Sequence, residues 1–317
     1  MAQSVIATNN LTKIYNQGKK DRTLALDKLS LEVQQGEIFG FLGPNGAGKT
    51  TTIRLLLDLI RPTQGKANIF GKDTRQSSVE IHHDVGFLPG ELALWKNRTG
   101  EQVINYVASV RGGVAEQTKE AQSLAERLKF DPSRKVREYS SGNKRKLGLI
   151  IAMMHSPKLL ILDEPTGGLD PLMQQIFNQM MLEVREEGRT VFLSSHVLSE
   201  VQAICDRVGI LREGDLKAVE DVDKLTHVEF RNVVMTFRDA VPQSWQAQLE
   251  AIDGVSDVSL NEHSLRLKLF GDFDPLLRTV SDGYIVNLRV EEPTLEDIFL
   301  AFYGNGESIK NNREAVS

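Results

Sequence analysis

Gly43, Pro44, Asn45, Gly46, Ala47, Gly48, Lys49 and Thr50 spell GPNGAGKT, with the G-x-x-x-x-G-K-T spacing of a phosphate-binding loop. The residue types suit that chemistry. Glycines let the backbone fold tightly enough to aim several N–H groups at phosphate oxygens. Lys49 supplies a positive point charge for the β- and γ-phosphates, and the Thr50 hydroxyl can ligate Mg²⁺. A bound nucleoside triphosphate is the direct implication. Further along, Asp163 and Glu164 follow the apolar run Leu159, Leu160, Ile161, Leu162. A strand ending in Asp puts a carboxylate at its carboxyl end, where open α/β sheets bind ligands. Asp163 can hold Mg²⁺ through water, and Glu164 can serve as general base on an attacking water. The plainer alternative is a pair of solvated carboxylates in an exposed turn. Four consecutive buried-type residues ahead of them speak against it.

A weaker signal lies upstream in Ser140, Ser141 and Gly142, followed by Asn143, Lys144, Arg145 and Lys146. The serines are good N-cap residues and Gly142 lets a backbone N–H approach an anion. This is a second anion site at a helix start, although most such strings are simply caps.

These groups need particular elements to hold them. Residues 38–42 (IFGFL) predict a buried strand before the phosphate loop, and residues 51–59 a helix after it, whose N-terminus faces the anion. Strand-like patterns cover residues 5–8, 24–33, 66–70 and 85–88. Residues 99–129 have helical periodicity, with Val103, Tyr106, Val107 and Val110 on one face, and 142–154 is helix-like. Strands and helices then alternate over 159–162, 172–185, 190–193, 197–204 and 208–211. The pattern predicts an α/β domain over residues 1–220 with a largely parallel core sheet, and a helical subdomain at about 90–150. Beyond 221 the order changes. Strands at 228–237, 255–260, 265–270 and 284–290 and helices at 242–251, 275–280 and 294–302 follow the β-α-β-β-α-β order of a ferredoxin-like fold. A small α+β accessory domain is therefore expected over 221–304, and the polar tail 305–317 is expected to be disordered.

The 317 residues suffice for roughly two domains with their own cores. A formal net charge of -5 offers no bulk attraction to nucleic acid or anionic lipid. Cys205 is the single cysteine, so no internal disulfide forms, and a reducing compartment fits. The first residues, MAQSVIATNN, lack a secretory signal. No apolar run approaches the ~18 residues of a membrane span. The chain is expected to be soluble, with any membrane part supplied by another polypeptide.

Together these strings resemble the ATP-binding subunit of ATP-binding-cassette (ABC) transporters over residues 3–218. GPNGAGKT corresponds to the phosphate loop, LLILDEP to the Mg²⁺ and catalytic-base strand, and YSSGNKRK to the signature segment. Gly167-Gly168-Leu169-Asp170 is similar to the dimer-contacting loop, and Ser194-Ser195-His196 to the switch-histidine loop. Residues 292–300 (EPTLEDIFL) resemble the C-terminus of a drug- and lipid-exporter branch whose permease is a separate polypeptide. The resemblance implies a head-to-tail homodimer with two ATP molecules at its interface, held at Gly43–Thr50 and Thr51 of one copy. Ser140, Ser141 and Gly142 of the other copy would complete each site. It implies Tyr15 as the aromatic stacked on adenine, Thr50 and Asp163 at Mg²⁺, Lys49, Glu164 and His196 as catalytic groups, and Asp170 in the dimer loop. The subunit would sit on the cytoplasmic face of the membrane through its permease, without a nucleic-acid partner.

Two departures stand out. Gly90-Glu91 occupies the place where the family usually has glutamine, and glycine offers no side chain to ligate Mg²⁺ or water; Glu91 is expected to take over. The signature also carries Tyr139, Ser141 and Asn143 where Leu, Gly and Gln are usual, while Ser140 and Gly142 are kept. The competing function is a soluble ABC ATPase acting on ribosomes or nucleic acid. Such relatives usually carry two cassettes or a long coiled coil, and the Lys144–Lys146 charges read as a solvated helix face.

Overall fold

Strands β4 (Ile38–Leu42), β7 (Val85–Leu88), β8 (Leu159–Asp163), β9 (Thr190–Ser195) and β10 (Arg207–Arg212) form a parallel array in the order β10-β4-β9-β8-β7. An antiparallel strand, β11 (Asp215–Asp221), closes the sheet beside β10. The computed structural model describes residues 4–16, 22–223 and 230–291. It divides into two units, Met1–Val222 and Asp223–Ser317. Every residue of β4, β8 and β9 is buried, as expected of parallel strands covered on both faces. Helices α1 (Lys49–Leu56), α6 (Pro171–Glu186) and α7 (Leu198–Ile204) pack on this sheet. Inside, Phe192 stacks on Phe39 at 5.9 Å and leans on Phe41 at 5.4 Å.

A second sheet was not apparent from the patterning. Strand β1 (Ser4–Tyr15) pairs antiparallel with β2 (Thr23–Leu29), β3 (Glu32–Gln34) and β5 (Gln64–Ile69), and β5 pairs with the short β6 (Lys72–Asp73), after which helix α2 (Ser78–His83) leads to β7. The run expected as one strand over 24–33 is thus two, separated by Ser30 and Leu31. The helical stretch expected over 99–129 is also two elements, α3 (Gly100–Arg111) and α4 (Val114–Arg127). Gly112 and Gly113 break it with φ of 81° and 77°, values in the left-handed half of the map that glycine adopts freely. A capping box between Thr99 and Gln102 starts α3. Its buried face is Val103, Ile104 and Ala108, whereas Tyr106 and Val110 are exposed. The apolar face read from periodicity was therefore rotated. Helix α5 (Ser141–Met153) begins at an N-cap, Ser140, whose hydroxyl accepts from the Asn143 N–H.

The second unit contains β12 (Phe230–Phe237), a helix at Ser244–Glu250, β13 (Val255–Asn261), β14 (Ser264–Phe270), a helix at Asp274–Thr279 and β15 (Ile285–Glu291). Its antiparallel sheet has the order β13-β14-β12-β15. Residues alternate along β12 and β14, and the inward set, including Val233, Met235, Leu265 and Leu267, packs with Trp245, Leu249 and Leu276. The helix expected over 294–302, the tail 305–317 and part of the strand expected from 228 lie outside the described residues.

Candidate nucleotide-binding site

Parallel register brings the chemistry together. The carboxyl ends of β7, β8, β9 and β4 lie on one edge, with Leu88 beside Leu162, Asp163 beside Ser194, and Ser195 beside Leu42. Each strand then delivers its next residues to the same place. Strand β4 leads into the phosphate loop, β7 into Pro89-Gly90-Glu91, β8 into Glu164 and β9 into His196.

The phosphate loop needs its glycines. Gly46 and Gly48 have φ of 83° and 111°, and a Cβ on Gly48 would stand 2.6 Å from the Ala25 carbonyl oxygen. At Gly43 the same atom would meet the Leu211 carbonyl oxygen at 2.3 Å. Helix α1 starts at Lys49, two residues earlier than the sequence pattern suggested, so Lys49 and Thr50 lie in its first turn. Lys49 is 5% exposed. Its ammonium donates to the carbonyls of Gly43 at 2.6 Å and Pro44 at 3.2 Å, and lies 3.3 Å from Glu164 Oε1. A buried cation needs such partners, and all of them border the space where phosphate oxygens would compete for it.

Asp163 anchors the other side. Its Oδ2 accepts from the Thr50 hydroxyl at 2.9 Å and its Oδ1 from the Ser194 hydroxyl at 2.6 Å. The Ser194 hydroxyl in turn accepts from the Glu164 N–H at 3.0 Å. Glu164 has φ of 52°, unusual for a residue with a side chain and worth ~1–3 kcal/mol of strain. That turn swings its carboxylate between Lys49 and His196, whose Nδ1 lies 2.6 Å from Glu164 Oε2. A carboxylate can only accept, so Nδ1 carries the proton. A hydroxyl and a carboxylate are hard oxygen donors, and Thr50 with Asp163 fit Mg²⁺ on that ground. Among the described residues, no group of three or more His, Cys, Asp and Glu forms a separate metal cluster.

Tyr15 ends β1 with its hydroxyl 3.5 Å from Thr51 Oγ1, at the border of the phosphate loop. Gly90 lies against Asp163: a Cβ there would be 3.1 Å from Asp163 Oδ2. Glu91 is exposed and lines, with Thr50, Arg54, Phe87 and Asp163, a cleft of about 280 Å³. The signature residues stand apart from this cluster. Ser140 and Ser141 are exposed, and among the described residues neither makes a hydrogen bond to the phosphate loop. Gly142 abuts the next loop, where a Cβ would fall 2.6 Å from the Gly168 carbonyl oxygen. Asp170 caps α6, accepting from the Met173 N–H at 3.0 Å.

The basic run at Lys144–Lys146 needs correction, because Arg145 is buried. Its guanidinium donates to the carbonyls of Pro89 and Gly90, both at 2.9 Å, and approaches those of Gly167 at 3.4 Å and Asp163 at 3.5 Å. Burial lowers its pKa from the usual value, while the Asp163 and Glu164 charges raise it. Ser194 belongs to the segment similar to the switch-histidine loop, but spacing gives no sign of its contacts: its hydroxyl is wedged between the Asp163 carboxylate and the Glu164 N–H.

Comparison with known proteins agrees with this geometry. The family model described as ABC transporter matches residues 26–167. The bacitracin transport ATP-binding protein BcrA of Enterococcus faecalis is 34% identical over 310 residues, 95% of this chain and 97% of its own length. The chain belongs to the ATP-binding subunits of ABC transporters. It is accordingly an ABC-type ATPase. A solved ATP-binding subunit of an ABC transporter has TM-score 0.64 at 27% identity, covering 70% of this chain and 92% of that one. A dimeric ATP-binding cassette in a post-hydrolysis state, bound to ADP and Pi, shares the fold with TM-score 0.64 at 22% identity. It covers 68% of this chain and 98% of the other. Among the described residues no helix of the subunit is long and apolar enough to cross a membrane.

Proposed function

We propose that the chain powers an exporter, hydrolysing ATP in a head-to-tail homodimer whose closure drives a separate membrane permease. The observation that carries this is the convergence of Lys49, Thr50, Asp163, Glu164 and His196 at one sheet edge, with Ser140 and Ser141 exposed at the start of helix α5. Half of an ATP site is built within one chain, and the exposed helix start is a complementary half for a second copy. Residues 43–51 hold the phosphates, Tyr15 borders the adenine position, and Lys49 exchanges its carbonyl and Glu164 partners for phosphate oxygens. Thr50 and Asp163 would hold Mg²⁺, which when bound neutralises charge on the β- and γ-phosphates. Glu164 takes the proton of the attacking water, and His196 orients Glu164 through Nδ1. Ser140, Ser141 and the Gly142 N–H of the partner copy complete the site at the γ-phosphate, with Asp170 at the dimer contact. Because ATP gains contacts only in the closed dimer, its binding energy shifts the population toward closure.

The name of the E. faecalis relative, a bacitracin transport protein matched along nearly its whole length, supports a drug-like cargo. Under this reading the permease is a separate polypeptide, and this subunit sits on the cytoplasmic face of the membrane through it. Residues 221–304 are taken as a ferredoxin-like accessory domain for dimerisation or regulation, a reading supported by the strand order of the second unit. A nucleic-acid role has little support, since Arg145 is turned inward and leaves no basic run on the surface.

Mixing two inactive variants tests the composite site. Lys49→Ala and Ser140→Arg should each abolish turnover alone. Mixed dimers put both defects in one site and leave the other intact, so mixing should restore ATPase activity. Failure to complement would rule out sites shared between copies. Co-purification with a multi-span membrane protein then tests the permease.

A further inference from the structure

Arg145 is a fixed positive charge, 9% exposed, and its hydrogen bonds all go to main-chain carbonyls of the loops around the ATP site. Charged side chains are rarely buried to this degree unless their partners are well placed. Here the planar fork of guanidinium donors suits the consecutive carbonyls of Pro89 and Gly90, each at 2.9 Å. The same group reaches toward the carbonyls of Asp163 and Gly167. Three parts of the molecule therefore meet at one side chain: helix α5, the loop carrying Glu91, and the segment carrying Asp163 and Glu164. The contact continues one turn along α5, where a Cβ on Gly148 would meet Leu88 Cδ1 at 2.6 Å and Leu92 at 3.0 Å. Helix and loop thus pack without a gap. At the helix start, Gly142 lies against Gly168 just as closely.

We propose that Arg145 is a positioning residue for ATP hydrolysis, locking the 89–91 loop and the 163–167 segment to helix α5. The helix start at Ser140–Gly142 and the Thr50–Asp163 oxygens then move as one body. Gly90 has no side chain to anchor its own loop, and the guanidinium anchors that loop by its backbone instead. The role rests on the ATPase reading and acts through main-chain carbonyls, without contact to nucleotide.

The test compares Arg145→Gln and Arg145→Lys with the unmutated chain in ATP turnover, melting temperature and ATP-dependent dimerisation. Dimerisation is measured in a Glu164→Gln background, where turnover does not interfere. Misplacing catalytic groups by about an ångström costs on the order of 10²-fold. Arg145→Gln should therefore lower kcat by ~10–100-fold with KM for ATP within ~3-fold, and should raise the ATP concentration needed for dimerisation. Lysine, a single donor centre, should restore part of both. Double substitution with Glu91→Ala should be less than additive. The inference is overturned if kcat falls only in step with a lost melting transition, or if dimerisation and kcat stay at the unmutated level. If the glutamine variant does not fold, Arg145→Lys carries the test: reduced kcat at unchanged melting temperature supports the role, and unchanged kcat removes it. No turnover in the unmutated chain, with dimerisation still impaired by Arg145→Gln, would break the hydrolysis reading and leave the positioning role standing.

Discussion

Glu164→Gln separates two effects that the geometry joins. The substitution is nearly isosteric, and the backbone turn at φ 52° and the N–H bond to Ser194 do not depend on the charge. What is lost is the carboxylate that accepts the proton of water and that pairs with Lys49. Loss of a general base costs ~10²–10⁴-fold in rate, or ~3–5 kcal/mol of barrier. The Lys49 pair acts in the opposite direction on binding. At 3.3 Å its gross attraction is on the order of 5 kcal/mol at an effective dielectric near 20. The Glu164 side chain is 25% exposed and the Gly43 and Pro44 carbonyls remain as partners, so the net competition with phosphate is closer to ~1 kcal/mol. ATP should therefore bind the variant about fivefold more tightly while kcat falls at least ~10²-fold. Steady-state phosphate release measures the second and equilibrium titration with labelled ATP the first. Turnover within threefold of the unmutated chain would place the base elsewhere. Unchanged affinity would mean that Lys49 is not held back by Glu164.

Three other substitutions follow from the same geometry. Gly43→Ala would drive its Cβ into the Leu211 carbonyl, so it should destabilise the fold by ~1–3 kcal/mol and abolish nucleotide binding, as read by thermal melting and titration. Gly90→Ala would crowd Asp163 Oδ2 at 3.1 Å; it should leave melting nearly unchanged and raise the Mg²⁺ concentration needed for half-maximal turnover. His155 is partly buried, its Nε2 bonded to the Val85 carbonyl, and burial with the nearby Arg111 charge lowers its pKa from 6.5 to about 4. Between those values the unfolded chain takes up a proton that the folded chain refuses, so stability is full above about 6.5 and is lost as pH falls toward about 4. His155→Leu should remove ~2 kcal/mol of that acid sensitivity, allowing for the ring's partial exposure. Urea denaturation at pH 7 and pH 5 checks this, and equal pH dependence in both proteins would refute it.

Local patterns carried much of the architecture. The apolar runs of β4, β8 and β9 are continuous because both faces of a parallel strand are covered, so they were visible without a structure. GPNGAGKT was equally plain, since only glycine tolerates the left-handed turns and close carbonyls at Gly46, Gly48 and Gly43. Periodicity points to the wrong face of α3 because it counts apolar residues without knowing which side meets a neighbour. Tyr106 and Val110 are apolar and exposed all the same. The split of residues 24–33 into two strands was hidden for a similar reason, as both halves have strand-like composition.

Residue type and spacing alone pointed to a bound triphosphate, to a buried strand ending in Asp163 with Glu164 just after it, and to a helix capped at Ser140. Those facts depend on neighbours within a few residues. Only the tertiary structure decided that Ser194 bridges Asp163 and Glu164, that Lys49 waits in an ion pair with Glu164, and that Arg145 turns inward. These contacts join residues far apart in sequence through the parallel register of β7, β8, β9 and β4. A charged residue on a helix looks the same in sequence whether it faces water or four carbonyls. The difference lies in what the fold places opposite it.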